Sequence, residues 1–104
     1  MKIYGLKNCD TCRKALKVFP KADFIDVRVD GVSSDLLQDA EKRFGSAIVN
    51  SRSNTWRGLD DTARARPALE LLKAYPTLMK RPLIEMDGTL YLGWTKELQA
   101  ALGV

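Results

Sequence analysis

Lys2-Ile-Tyr-Gly5 and, after Leu6-Lys-Asn8, Cys9-Asp-Thr-Cys12-Arg-Lys-Ala15-Leu16-Lys-Val-Phe19-Pro20 form the stretch in which a short strand gives way to an amphipathic helix. Cys12, Ala15, Leu16 and Phe19 recur at i, i+3, i+4 and i+7, one buried stripe on a helix that must stop before Pro20. Arg13, Lys14 and Lys17 then face water and Cys12 points inward, while Cys9 precedes the helix. Further on, Ile25, Val27 and Val29 alternate with Asp26 and Arg28, which predicts a second strand closed by Asp30-Gly31. Strand, helix, strand makes a βαβ unit with a right-handed crossover.

Working outward, Ser33 or Ser34 is placed to cap a helix carrying Leu36, Leu37, Ala40 and Phe44, with Gly45 at its end. A polar loop, residues 49–58, leads to a segment rich in Ala and Arg. Pro67 fits the start of a helix bearing Ala68, Leu71, Leu72 and Tyr75, which Pro76 stops or kinks. Leu83-Ile-Glu-Met86, Asp87-Gly88 and Thr89-Leu-Tyr-Leu92 predict a hairpin around a two-residue type I′ turn. Thr95 caps a last helix whose Leu98, Ala101 and Leu102 share a face, and Gly103 ends it. The order β-α-β, helical insert, β-β-α predicts an α/β fold on the thioredoxin plan. It consists of a four-stranded mixed sheet flanked by helices, in a single domain over 1–104 with an insert at about 33–79 between the second and third strands.

Apolar residues make up 45 % and charged residues 29 % of the chain, a globular balance. At this length a core closes without metal or structural disulfides. The first residues lack the apolar stretch of a secretory signal, and no run approaches the ~18 apolar residues of a membrane span. A cytoplasmic, monomeric protein without membrane attachment is the expectation. The net charge of +4 is mild and dispersed, favouring small anions over nucleic acid as ligands.

In a reducing compartment, a CxxC pair points to catalysis or metal rather than to structure. Zinc wants four Cys or His ligands, whereas this chain holds two Cys and no His, so no metal site is expected. Two small buried thiols in a core are the plainer alternative, which suits Cys12 better than Cys9. The catalytic reading makes Cys9 the nucleophile and Cys12 the resolving thiol one turn further in. Without histidine, activation of Cys9 falls to helix N–H groups and to basic side chains such as Lys7, with Asp10 opposing. Arg52 in the polar loop and Arg81 before Pro82 offer donor forks for an oxyanion, or are simply solvated. Trp56, Tyr91 and Trp94 either line a groove or belong to cores. For the Arg81-Pro82 bond, the general preference is trans.

These residues resemble the ArsC/Spx family, in particular its small YffB-type members. The likeness is carried by Cys9-Asp-Thr-Cys12-Arg-Lys-Ala15, by Val49-Asn-Ser-Arg52 with Trp56-Arg57, and by Leu78-Met-Lys-Arg81-Pro82-Leu-Ile with Asp87-Gly88 and Gly93. The resemblance implies a thioredoxin-like fold with a helical insert, a cis peptide at Pro82 facing the active cysteine, and Cys9 as nucleophile. It also implies anion binding by Arg52 and Arg81. Glutathione-coupled arsenate reductases of the family carry a further arginine where this chain reads Leu92-Gly93-Trp94, and they lack the second cysteine. Cys12, as in Spx-type regulators, turns the expectation from arsenate reduction toward dithiol exchange. That makes a thiol–disulfide reductase with no bound cofactor, glutathione as co-substrate and glutaredoxin as a candidate protein partner. Arsenate reduction through Cys9 is one alternative, and an Spx-like regulator that binds RNA polymerase is another.

Overall fold

The computed structural model describes residues 1–104 and divides into two compact units, Met1–Asp30 with Arg81–Val104, and Gly31–Lys80.

The first unit holds the sheet. Strands β1 (Lys2–Gly5), β2 (Asp23–Asp26), β3 (Leu83–Met86) and β4 (Thr89–Leu92) lie in the order β2-β1-β3-β4. β1 runs parallel to β2, with Ile3 opposite Phe24, and antiparallel to β3, with Ile3 opposite Ile84. The hairpin joins β3 to β4 in the predicted register, Glu85 opposite Leu90 and Met86 opposite Thr89. Asp87 and Gly88 both take positive φ, 52° and 78°, as a type I′ turn requires. Ile3, Ala15 and Ile84 form a fully buried nucleus. Leu16 and Phe19 of helix α1 (Asp10–Val18) and its C-cap, and Leu98 and Leu102 at the last helix, pack on it. The periodic apolar stripe of α1 thus does what its spacing predicts.

The second strand is shorter than the alternation suggests. It ends at Asp26, and Val27–Asp30 forms a single helical turn, α2. The Asp26 carboxylate accepts the Arg28 N–H at 2.9 Å, a local bond that turns the backbone out of the extended conformation. Val29, expected inside, is 76 % exposed, whereas Val27 is buried.

In the second unit, α3 (Ser34–Phe44) is capped by Ser33, whose hydroxyl accepts the Leu36 N–H at 3.2 Å. Its buried Leu36, Leu37 and Ala40 pack with α6 (Ala68–Ala74), which contributes Leu71 and Leu72 and begins directly after Pro67. A 3₁₀ turn over Gly45–Ile48 and another over Pro76–Leu78 lead into a short antiparallel crossing of Val49 with Met79. Around it Lys80 N–H donates to Ile48 O at 2.7 Å and Asn50 N–H to Leu78 O at 2.8 Å. The segment expected to be loop contains two further helical turns, α4 (Asn54–Arg57) and α5 (Asp61–Arg64). Ser53 and Asp60 cap them, accepting the Trp56 and Ala63 N–H groups at 3.1 and 2.7 Å. Polar residues that look like loop from composition here serve as helix starts. Thr95 caps α7 (Lys96–Ala101) in the first unit as predicted, accepting the Leu98 N–H at 3.1 Å. No helix is long and apolar enough to cross a membrane.

Candidate active site

Cys9 is the N-cap residue of α1, in extended backbone at φ −91°, ψ 121°. Its N–H donates to Leu6 O at 3.1 Å and its carbonyl accepts the Arg13 N–H at 2.9 Å, so the turn and the first helical bond both hold it. Arg13 Nε donates back to Lys7 O at 3.0 Å and braces the same turn from outside. Cys9 is half-buried, whereas Cys12, one turn on, is fully buried; both are free thiols.

The two sulfurs have opposite acidities. Burial, the largest single effect on Cys9, pushes its thiol up. Against this, the Cys12 N–H and thiol, the Arg81 guanidinium and the Thr11 N–H each favour the thiolate, and together they hold Cys9 below its ordinary value. The N–H groups of the first helical turn, at the positive end of the helix dipole, favour the charged form of the sulfur. For Cys12, burial dominates and pushes the thiol up to about 11; the Leu6 N–H and Arg81 lower it, but the neighbouring Cys9 raises it further, both by charge and as the acceptor of its S–H. Cys9 is thus the more acidic thiol of the pair, and Cys12 the one that holds its proton more tightly. The cation acting on Cys9 is Arg81, where the sequence pointed to Lys7.

Arg81 and Pro82 reach this unit through β3, which pairs with β1 directly behind the cysteine turn. The Arg81–Pro82 peptide is cis, against the general preference and in line with the family resemblance. Pro82 is fully buried, and its carbonyl accepts the Gly93 N–H at 2.8 Å. Arg52 belongs to the inserted unit. It is exposed, its N–H donates to Asn50 Oδ1 at 3.0 Å, and with Ser46, Asn50 and Lys80 it lines a depression of about 460 Å³. Among the aromatics, Tyr91 and Trp94 pack on the Ile3–Ala15–Ile84 nucleus, and Trp94 meets Phe19 edge to face at 6.2 Å. Trp56 lies in the insert under Arg64.

Gly5 is a site residue that sequence reasoning missed. A Cβ placed there would overlap Cys12 Sγ and lie 3.3 Å from Cys12 Cβ. The last residue of β1 must therefore lack a side chain for the Cys12 sulfur to sit against the strand. A glycine ending a strand just before a CxxC turn was the available signal, since glycine in a strand marks close approach.

The four-stranded sheet, the CxxC pair at the start of the first helix and the cis-proline before the third strand define a thioredoxin-like protein with a dithiol at its N-terminal helix turn. The ArsC family profile matches residues 4–101, and the chain belongs to the ArsC family. An uncharacterized protein of Haemophilus influenzae is 44 % identical over 95 % of this chain and 96 % of its own length. Among solved structures, the YFFB protein superposes with a TM-score of 0.86 at 31 % identity over 96 % of both chains. An arsenate reductase related protein from Brucella melitensis gives 0.69 at 32 % identity, covering 96 % of this chain and 91 % of that one. A possible arsenate reductase from Streptococcus mutans gives 0.72 at 25 % identity over 91 % of both.

Proposed function

We propose that this protein is a thiol–disulfide reductase that uses glutathione as reductant. The observation that carries the reading is the asymmetry of the pair, a lowered, accessible Cys9 beside a raised, buried Cys12. The Cys9 thiolate attacks one sulfur of a substrate disulfide, forming a mixed disulfide and releasing the other half as thiolate. That step removes the negative charge from Cys9, and with it one of the influences holding the Cys12 proton. Cys12 then passes its proton to the departing thiolate and attacks Cys9 Sγ, which expels the second half of the substrate as thiolate and leaves a Cys9–Cys12 disulfide. Two glutathione molecules restore the dithiol and leave as glutathione disulfide. Arg81 favours the Cys9 thiolate, and its donor fork suits an anionic group of the ligand. The role of Arg52 in anion binding is carried over from the family.

The test is the pH dependence of Cys9 alkylation by iodoacetamide, with and without oxidised glutathione. The expected midpoint lies below the free-thiol value of about 8.5. Glutathione should appear on Cys9 in Cys12→Ser and give way to the internal disulfide in the unsubstituted protein. A midpoint at or above that value, with no adduct in either protein, overturns the reading. Arsenate reduction is the second reading, supported by the guanidinium acting on Cys9 and by similarity to an arsenate reductase related protein and a possible arsenate reductase. Arsenate-dependent turnover that survives Cys12→Ser would favour it.

A further inference from the structure

A second cavity, of about 310 Å³, lies wholly within the inserted unit and contains none of the cysteine chemistry. One wall is apolar, formed by Val49, Ala68 and Leu71, with the Trp56 indole beside it. The remaining lining is cationic and hydroxylic: Arg64, Arg66, Ser46 and Ser51. No acidic side chain lines it, so a ligand anion would meet only donors there.

Arg64 is held in place by its own neighbours. Its Nε donates to Trp56 O at 3.3 Å and an Nη to Arg57 O at 3.2 Å, and its guanidinium carbon stands 5.7 Å from the centre of the Trp56 ring. Asp61 approaches the other Nη at 3.8 Å, but that carboxylate is wholly exposed, so the pair is weak. A guanidinium has five N–H donors, and the two carbonyls take only two of them. The rest are fixed in direction at little further entropic cost, which is what recognition of an oxyanion needs. Arg66, exposed on the same rim, supplies a second cation.

We infer that this cavity binds a small molecule with a flat apolar body bearing an oxyanion, the body lying along Trp56 and Leu71 and the oxyanion between Arg64 and Arg66. Its size is at the lower end of small-molecule sites, which suits a ligand of one ring. Carboxylate and phosphate share the chemistry required.

The chain's only two tryptophans, Trp56 in this cavity and Trp94 in the sheet unit, make the test self-controlled. In ¹⁵N-labelled protein, titration with phenyl phosphate or benzoate should move the Trp56 indole N–H and the Arg64 Nε–H resonances and leave the Trp94 indole in place. Inorganic phosphate alone and phenol alone should each bind about tenfold or more weaker than phenyl phosphate, and Arg66→Ala should weaken phenyl phosphate by about tenfold. Arg66 is exposed, so this variant should keep the parent's melting temperature; Arg64→Lys, which keeps the charge and loses the fork, should weaken it too. Comparing phenyl phosphate with benzoate assigns the oxyanion. No movement of the Trp56 indole at millimolar probe, or equal binding of phosphate and phenyl phosphate, or undiminished binding by Arg66→Ala, overturns the inference. None of these results depends on Cys9 or Cys12.

Discussion

Gly5→Ala is the substitution on which the description of the site can be tested most sharply. The added methyl would overlap Cys12 Sγ and stand 3.3 Å from Cys12 Cβ, with Phe24 Cε2 at an ordinary 3.6 Å. Cys12 is fully buried on α1 and cannot swing into solvent, so either the helix start moves off β1 or the sulfur leaves its rotamer. Overpacking of this kind costs about 1–3 kcal/mol. For a domain of this size each kcal/mol is worth about 4–8 °C in the melting midpoint. The decisive assay is a double-mutant cycle, with urea unfolding of the parent, Gly5→Ala, Cys12→Ala and the pair. With the sulfur gone, the 3.3 Å approach to the Cβ is the one tight contact left beside the ordinary one to Phe24, so the methyl at position 5 should be tolerated far better and the coupling should exceed about 1 kcal/mol. Additivity to within about 0.5 kcal/mol would show that the sulfur does not occupy the space beside Gly5, and would refute the placement.

Three further outcomes follow from the same structure. Cys12 is pushed up to about 11, while the unfolded chain ionises it near ~8.5; its contribution to stability is complete below the unfolded value and declines as pH rises through the folded one. Urea midpoints measured from pH 8 to 10.5 should therefore fall more steeply for the parent than for Cys12→Ala, the difference between the two proteins cancelling the titrating groups other than the Cys9–Cys12 pair. At the hairpin, Gly88→Ala forces a Cβ into φ 78° and should cost about 1–2 kcal/mol by thermal unfolding. Gly58→Ala, at φ −79° with nothing closer than 3.6 Å to the new methyl, should be neutral or stabilise by up to about 1 kcal/mol.

What the sequence made legible was local. Asp87-Gly88 carries its own turn chemistry, Thr95 and Ser33 cap with their own hydroxyls, and the spacing of Cys12, Ala15 and Leu16 is a property of one helix. The misjudged end of β2 is local as well, but two local signals compete there. Alternating valines favour extension, and the Asp26 side chain wins by capturing the Arg28 N–H. Of the candidate site, Cys9, Cys12 and Arg81 stand out by residue type and position, whereas the charge acting between them does not. The sequence neighbour Lys7 looked like the activating charge, whereas the charge that acts on Cys9 arrives from a strand far along the chain. Gly5 escaped notice because its reason lies in a contact with Cys12 that only the packed helix creates.

The discontinuity of the sheet unit has a consequence for the protein during synthesis. β1, the cysteine turn and β2 leave the ribosome first, but the partner strand that brings Arg81 to Cys9 is translated only after the whole inserted unit. Until β3 docks on β1, the nascent Cys9 lacks one of the influences that make it acidic. The acidity of Cys9 is therefore completed by tertiary structure, because the helix turn alone does not supply the influence of Arg81.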